Sequence, residues 1–489
     1  MNTYFEGVDL GKILEVIAAF NGERNSIRLL DVIITKMRDI TDCEAGTLYV
    51  VKDGGLHFTI LHNEKLGVFS YGDEIKLPPV SLDKDNIENV SAYCAIEKTM
   101  VNIGDIYEDA RFNFQGPKKY DAMTGFRTRS MLVFPLSDMH ENVIGVIQLI
   151  NARDPSGGVT PFDKRLEFML KSLANIAATA LANVRYMEEI KELFYSFVRI
   201  MSAAVDERTP YNASHTRQMA EYTRSFVRYL RERFPEGSPY HMDENREEQL
   251  IMATLLHDIG KIVTPLGVMN KQSRLGGRLP LLKQRFTVKK LQAKIAFLSG
   301  EVSEDAYASE AAALDGDWEF IERINTAELI SDGDRERVKS VTARTYTGEN
   351  GVPAPLFEPY DIECLSVAKG TLTDAEREIM REHVEITGRF LDNIKFNKQY
   401  ENVPGWAKSH HELLDGTGYP DRLPGSRIPT EVRILTVMDV YDSLTASDRP
   451  YKKALTHETA LRILRSMAEE GKLDAEIVSL FSESGIRVL

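Results

Sequence analysis

Leu255-Leu256-His257-Asp258-Ile259-Gly260-Lys261 brings an imidazole, a carboxylate and an amine together at the end of an apolar run. Ile251, Met252, Leu255 and Leu256 recur at helical spacing, so the stretch predicts a buried helix with His257 and Asp258 near its end. Burying a carboxylate beside an imidazole is costly unless a partner shares them. A hydrogen-bonded core pair meets that need, and so does a divalent metal, which accepts both nitrogen and oxygen donors. Lys261 follows Asp258 by three positions and falls on the same face if the turn continues, where it would meet an anion bound at such a metal. The metal reading needs further ligands converging from elsewhere in the chain.

The last quarter of the chain supplies candidates. Ser409-His410-His411-Glu412 precedes Asp415-Gly416-Thr417-Gly418-Tyr419-Pro420, and Asp439 and Asp442 are embedded among Ile434, Leu435, Val437, Met438 and Tyr441. Upstream, Thr373-x-x-Glu376 is a capping box that announces a helix to Leu391, with His383 on the face of Ile379, Met380, Ile386 and Phe390. Taken singly, His383 also reads as a satisfied core histidine and Asp439 as a carboxylate bonded to backbone. Taken together, and counting His215, five of the ten histidines and two apolar-flanked aspartates in core-like segments predict a metal centre.

His257-Asp258-Ile259-Gly260-Lys261, His410-His411-Glu412, Asp415 to Pro420 and Asp448-Arg449-Pro450-Tyr451-Lys452, in this order, closely resemble the signature of the HD-GYP family. That family is a branch of the HD metal-dependent phosphohydrolases, and the resemblance covers about residues 200–489. It implies an all-α domain with an iron or manganese site that hydrolyses the 3'-5' phosphodiester of cyclic di-GMP to linear pGpG or to GMP. Carried over position by position, it implies His215, His257, Asp258, His383, His410, His411 and Asp439 as metal ligands, with Asp258 bridging two ions. Lys261 would hold a nonbridging phosphate oxygen, and Arg449 and Lys452 would contact phosphate. Asp442, one turn beyond Asp439, would orient a ligand or take a substrate proton. Gly418-Tyr419-Pro420 reads as a turn, and the resemblance adds a surface there for partners such as diguanylate cyclase domains. Tyr211 departs from the pattern, standing where some members have a glutamate that binds a third metal. A phenol is a poor ligand for hard divalent ions, so two metals are expected. The alternatives are another cyclic dinucleotide as substrate, such as cyclic GMP-AMP, or a catalytically quiet cyclic di-GMP receptor. The full ligand set and Lys261 argue against the quiet form.

Net charge at pH 7 is −14, which argues against a nucleic-acid polymer as ligand, because binding a phosphate backbone calls for a basic surface. Three cysteines without paired spacing indicate neither a disulfide framework nor a thiolate metal site. No apolar run nears the roughly 20 residues of a membrane span, and Met1 to Glu6 lacks a basic signal-peptide start. A cytoplasmic protein is expected.

Residues of about 25–183 read as α/β. A helix carrying Ile27, Leu30, Ile33, Ile34 and Met37 leads into Ala45 to Val51, an Asp53-Gly54 turn and Leu56 to Leu61, which predicts a β-hairpin. Ser130 to Leu136 and Val143 to Asn151 predict a second. The order resembles a GAF domain, with an antiparallel sheet and flanking helices. Asn151 and Phe162 fit the signature of nucleotide-responsive members, and Ala152 departs from it. That leaves open a small-molecule ligand or a ligand-free dimerising module. From Asp163 to about Val205, Leu166, Leu170, Leu173, Ala177, Ala180, Val184, Met187, Ile190, Phe194, Phe197, Met201 and Ala204 step by threes and fours. The stripe predicts a coiled coil in a parallel homodimer, although a single helix packed on a domain gives a similar pattern. The expected organisation is a GAF sensor domain over 1–162, a coiled-coil helix over 163–205 and an HD-GYP domain over 206–489. The last carries an insertion at about 272–368, read as two helices over 281–300 and 317–341.

Overall fold

The structure is a computed structural model that describes residues 10–208, 215–348, 351–446 and 454–487. The chain divides into two compact units, Met1–Phe194 and Tyr195–Leu489.

The first unit is built on an eight-stranded antiparallel sheet. Both predicted hairpins are present, as Cys43–Lys52 with Gly55–Asn63 and as Met131–Ser137 with Val143–Arg153. Asp53 and Gly54 both take positive φ, the backbone that a two-residue turn needs to match strand twist. Helices Leu10–Gly22 and Ser26–Thr41 cover one face, where Leu29, Ile33, Ile34 and Met37 pack on Leu48, Phe134 and Ile147. The other face, under helix Val90–Ile96, holds Tyr49, Cys94, Phe114, Met131 and Val146. Asn151 and Phe162, the residues that fit a nucleotide-responsive signature, are taken up by packing. Asn151 donates to Glu44 at 2.7 Å and to the Arg127 carbonyl at 2.8 Å, and Phe162 is buried.

The long helical pattern forms a 3-10 turn, Lys164–Leu166, and one helix, Glu167–Asp206. Its stripe is not a single seam. Leu170, Leu173, Ala177 and Ala180 are buried in the core of the first unit, whereas Tyr186, Met187, Ile190, Leu193, Phe197 and Ile200 are exposed. Threes-and-fours spacing serves packing on a sheet as well as pairing of helices, so the sequence pattern could not separate the two.

Among the described residues the second unit is helical apart from one short hairpin, Thr345–Thr347 with Pro353–Pro355, and an isolated bridge between Leu329 and Lys369. Helices His215–Arg233, Glu244–Leu256, Asp374–Leu391 and Thr430–Thr445 position the chemistry described below. The insertion differs from the two helices expected. It forms Leu279–Leu298, Glu304–Thr326, Asp332–Thr342 and Pro359–Leu365 around a core of Leu282, Phe286, Leu314, Phe320, Ile324, Val338 and Phe357. The stretch read as one helix over 317–341 is broken because Ser331 caps a new helix through a reciprocal bond with Asp334. No helix among the described residues is long and apolar enough to cross a membrane.

The insertion is tied to the start of helix Asp374–Leu391. Buried Glu376 completes the capping box with Thr373 and accepts from Lys271 Nζ at 2.7 Å and the Tyr360 hydroxyl at 2.6 Å. Burial works to raise its pKa, but bonds from Lys271, Tyr360 and the Thr373 N–H outweigh it and hold the carboxyl below the ordinary 4.5. A carboxyl depressed on folding contributes stability above its unfolded pKa and loses it as pH falls through the folded value. Glu376→Gln strands Lys271 without a counter-charge and should cost about 3 kcal/mol at pH 7. Melting curves taken from pH 7 to 3 should show the wild-type chain losing this advantage below about pH 4.5. The variant should lack that component.

Candidate metal centre

Five chain segments bring their polar side chains to one point. His215 opens helix His215–Arg233. Helix Glu244–Leu256 stops just before His257 and Asp258, and the chain continues as a 3-10 turn, Ile259–Val263. That tighter turn sets Lys261 Nζ 2.5 Å from Asp258 Oδ2. His383 lies inside helix Asp374–Leu391, and His410 and His411 follow helix Val403–Lys408. Asp439 and Asp442 are on helix Thr430–Thr445.

Close approach of the second and third segments depends on Gly260. A Cβ there would lie 2.0 Å from the His383 carbonyl oxygen and 2.7 Å from Thr387 N. Its N–H donates to Thr387 Oγ1 at 3.0 Å, and that hydroxyl donates to the His257 carbonyl at 2.9 Å. The glycine in the motif is thus a contact surface for the helix that carries His383.

The imidazoles share one arrangement. His257, His383 and His410 donate Nδ1–H to the carbonyls of Thr254, Met380 and Ala407, each three residues earlier, at 2.7, 2.6 and 2.7 Å. His215 Nδ1 meets Asp442 Oδ2 at 2.5 Å. With the proton on Nδ1, each ring turns an Nε2 lone pair inward, the tautomer that a metal requires. Asp258 lies among them. Its Oδ1 is 3.3 Å from His383 Nε2 and 3.9 Å from His410 Nε2, and its Oδ2 is 3.3 Å from His257 Nε2 and 3.6 Å from His215 Nε2. Asp439 reaches His215 Nε2 at 3.5 Å and His411 Nδ1 at 3.6 Å.

These donors fit a metal. Asp258 Oδ1, His383 Nε2 and His410 Nε2 are buried and have no hydrogen-bond partner, an arrangement that is expensive without a cation between them. The donor atoms of His383, His410 and His411 lie within 4.8 Å of one another, as do those of His215, His257 and Asp439, and the two groups share no residue. The electrostatics agree. Burial works to raise the pKa of Asp258, yet His257 and Lys261 hold it well below the carboxylate range. Burial would lower His257, but Asp258 and Asp439 outweigh it and bring it to about 9. His410 and His411 are pushed well below the usual imidazole value, by burial first and by neighbouring imidazoles second. A site that crowds four inward lone pairs and two carboxylates favours a cation.

Asp442 is buried on His215, a position suited to orienting that ring, and its Oδ1 has no partner. Asp442→Asn removes the acceptor charge behind His215 and should weaken metal affinity by about 10- to 100-fold, read by competition with a chelator. Gly418 and Tyr419 are closer to this centre than their turn composition indicated. A Cβ on Gly418 would lie 2.6 Å from the His411 carbonyl oxygen, Tyr419 N donates to that oxygen at 3.2 Å, and the tyrosine ring packs on His411 with centroids 4.8 Å apart. Pro420 follows them in the same turn. Sequence reasoning assigned no role to Glu412, which accepts from Asp421 N at 2.7 Å and Leu423 N at 2.8 Å and so holds this loop closed. It also missed Arg381, whose guanidinium sits 5.5 Å from the Tyr419 ring centre. Tyr211, Arg449 and Lys452 lie outside the described residues.

Residues 25–181 match a family model described as GAF domain, and residues 212–319 and 355–477 match two models each described as HD domain. The chain is 28% identical over 262 residues to the cyclic di-GMP phosphodiesterase response regulator RpfG of Xanthomonas campestris pv. campestris, a match covering 47% of this chain and 66% of that protein. It is 31% identical over 135 residues to 3'3'-cGAMP-specific phosphodiesterase 3 of Vibrio cholerae, covering 28% of this chain and 26% of that protein. A cyclic di-GMP phosphodiesterase of Thermotoga maritima is 30% identical over 189 residues, covering 38% and 42%. The chain thus spans less than two thirds of each of these relatives. Among solved structures, the GAF domain of an Acinetobacter phosphoenolpyruvate-protein phosphotransferase aligns with 37% of this chain and 96% of its own, at 14% identity and a TM-score of 0.28.

Proposed function

We propose that this chain, with its GAF domain followed by HD-domain segments, is a metal-dependent phosphodiesterase that hydrolyses cyclic di-GMP to linear pGpG or GMP. The observation that carries the reading is the convergence of buried, unpartnered Nε2 and Oδ1 atoms around Asp258. In this proposal His215, His257, Asp258, His383, His410, His411 and Asp439 hold two divalent ions, iron or manganese. Asp258, which faces one histidine pair with each oxygen, would be the ligand available to both. Such ions, when bound, polarise a phosphoryl oxygen and acidify water. The chain's own residues supply the rest. Lys261 carries a positive charge to the same edge of the site and offsets charge that develops on a nonbridging phosphate oxygen. Asp442 fixes the His215 ring and the backbone carbonyls fix the other three, while Arg449 and Lys452, outside the described residues, would contact phosphate. Tyr419 steadies His411. The relatives named for 3'3'-cGAMP favour one second reading, in which that dinucleotide is the substrate.

The domains of this proposal are a GAF sensor (1–162), a connecting helix (163–205) and a catalytic domain (206–489). In the sensor, a cleft of about 420 Å³ lined by Glu88, Tyr93, Asn102, Arg111 and Phe112 would take a small molecule. Met187, Ile190, Leu193, Phe197 and Ile200, all exposed, would pair two chains in parallel. The Gly418-Tyr419-Pro420 loop would meet diguanylate cyclase domains. The test is anaerobic incubation of iron- or manganese-loaded protein with cyclic di-GMP and, separately, 3'3'-cGAMP, with metal content measured on the same sample. Turnover of cyclic di-GMP with two metals per chain supports the reading. Preferred turnover of 3'3'-cGAMP replaces the substrate, and full metal content without turnover of either overturns the enzyme.

A further inference from the structure

Helix Leu279–Leu298 of the insertion is apolar on two sides. Leu282 and Phe286 on one side are buried in the insertion's core. Its flanks are occupied as well, by Phe297 stacked on Tyr307 with centroids 5.3 Å apart and by Gln292, which accepts from Thr347 N at 2.9 Å. The side left over carries Leu281, Val288, Leu291, Ile295 and Leu298, all exposed, the last three at 54, 64 and 71%. Residues 281, 288 and 295 repeat every seven positions, and so do 284, 291 and 298. They are the a and d positions of a heptad. Among the exposed residues on this side Lys294 is the one charged side chain, on a chain in which 27% of residues are charged.

We propose that this side of the insertion is an interface with a second copy of the chain, formed by parallel pairing of the two Leu279–Leu298 helices. β-Branched Val288 and Ile295 at a, with Leu291 and Leu298 at d, is the combination that favours two parallel strands over higher assemblies. Parallel pairing about a two-fold sets each layer against itself, so one patch serves both copies. Lys294 then faces position 299 across the pair, a serine, and no like charges meet. Covering the stripe on both copies removes on the order of 1,000 Å² of surface, about what a specific interface requires. The seam is under three heptads, short for a free peptide, but the insertion's core already holds the helix in shape, so pairing does not have to nucleate it. The proposal is independent of the hydrolase reading.

Single cysteines test it in the full chain. The native thiols, Cys43, Cys94 and Cys364, are all buried, so background cross-linking is low. Leu291→Cys and Leu298→Cys put thiols opposite themselves in the pair, and mild oxidation should give a covalent dimer on a non-reducing gel. Its yield should exceed that of Lys339→Cys, an exposed control on helix Asp332–Thr342, by about tenfold, because pairing holds the thiols at high effective concentration. Adding Ile295→Glu to the Leu298→Cys chain should abolish the cross-link and leave the helical circular dichroism unchanged, since position 295 is exposed in the single copy. Yields at 291 and 298 no higher than at 339, or a cross-link that survives Ile295→Glu, would overturn the interface.

Discussion

Under the proposed function, Asp258→Asn should lower turnover of cyclic di-GMP about a thousand-fold, the scale expected when the charge that organises a metal-assisted phosphoryl transfer is removed. The amide keeps the shape of the side chain but not its charge, and its NH₂ end turns a donor toward one of the two histidine pairs that Asp258 now faces. Whichever way the amide is flipped, one pair faces an NH₂ group that has no lone pair to offer a metal. Metal content should therefore fall below two per chain along with kcat, and excess metal should restore little. Retained metal with lost turnover would move Asp258 from ligand to a role in the chemistry alone. Unchanged turnover would remove it from the site.

Gly260→Ala should be nearly as damaging, although residue 260 contributes no functional group. The added methyl would start 2.0 Å from the His383 carbonyl oxygen, with Thr387 N at 2.7 Å, and both are helix backbone that cannot swing aside. The turn bearing Asp258 and Lys261 must separate from the helix bearing His383, which parts the ligands. Overpacking of this kind costs about 1–3 kcal/mol of stability. A displacement of about 1 Å at the reacting groups lowers turnover roughly 100-fold. Gly267→Ala is the matched control, since a Cβ there meets nothing within 4 Å, and it should leave both properties unchanged. Thermal melting with and without manganese separates the effects: Gly260→Ala should melt lower and lose most of the metal-induced gain, whereas a variant that only loses stability would keep that gain.

Several features were legible along the chain because their physics is local. The Thr373-x-x-Glu376 box predicts a helix start, and the reciprocal bonds are there. Asp53-Gly54 between alternating apolar residues predicts a hairpin, and both residues take the positive φ that such a turn needs. His257, Asp258, His383 and Asp439 stood out because polar groups in apolar runs need partners, whatever the partners are, whereas His215 was named through the family resemblance. Where local rules admit two outcomes the sequence did not decide. The stripe from Leu166 to Ala204 satisfied the rule for a coiled coil, but its first half is used inside the first unit. The stretch over 317–341 had helical spacing throughout, yet Ser331 offers a cap that ends one helix and starts another. The exposed heptad on Leu279–Leu298 was hidden because the same helix also feeds the insertion's core, which blurs its amphipathic pattern.

By itself the sequence determined which residues are candidates for chemistry, most of the helices and strands outside the insertion and that the chain joins an α/β half to a helical one, because residue type and spacing of two, three or four act at short range. The tertiary structure alone decided what those residues do for one another. It set Asp442 behind His215 across 227 positions, seated Gly260 on the helix of His383 and brought Tyr419 onto His411. Contacts between distant segments depend on how whole faces pack, and no spacing along the chain encodes which carbonyl, ring or carboxylate a packed face will deliver.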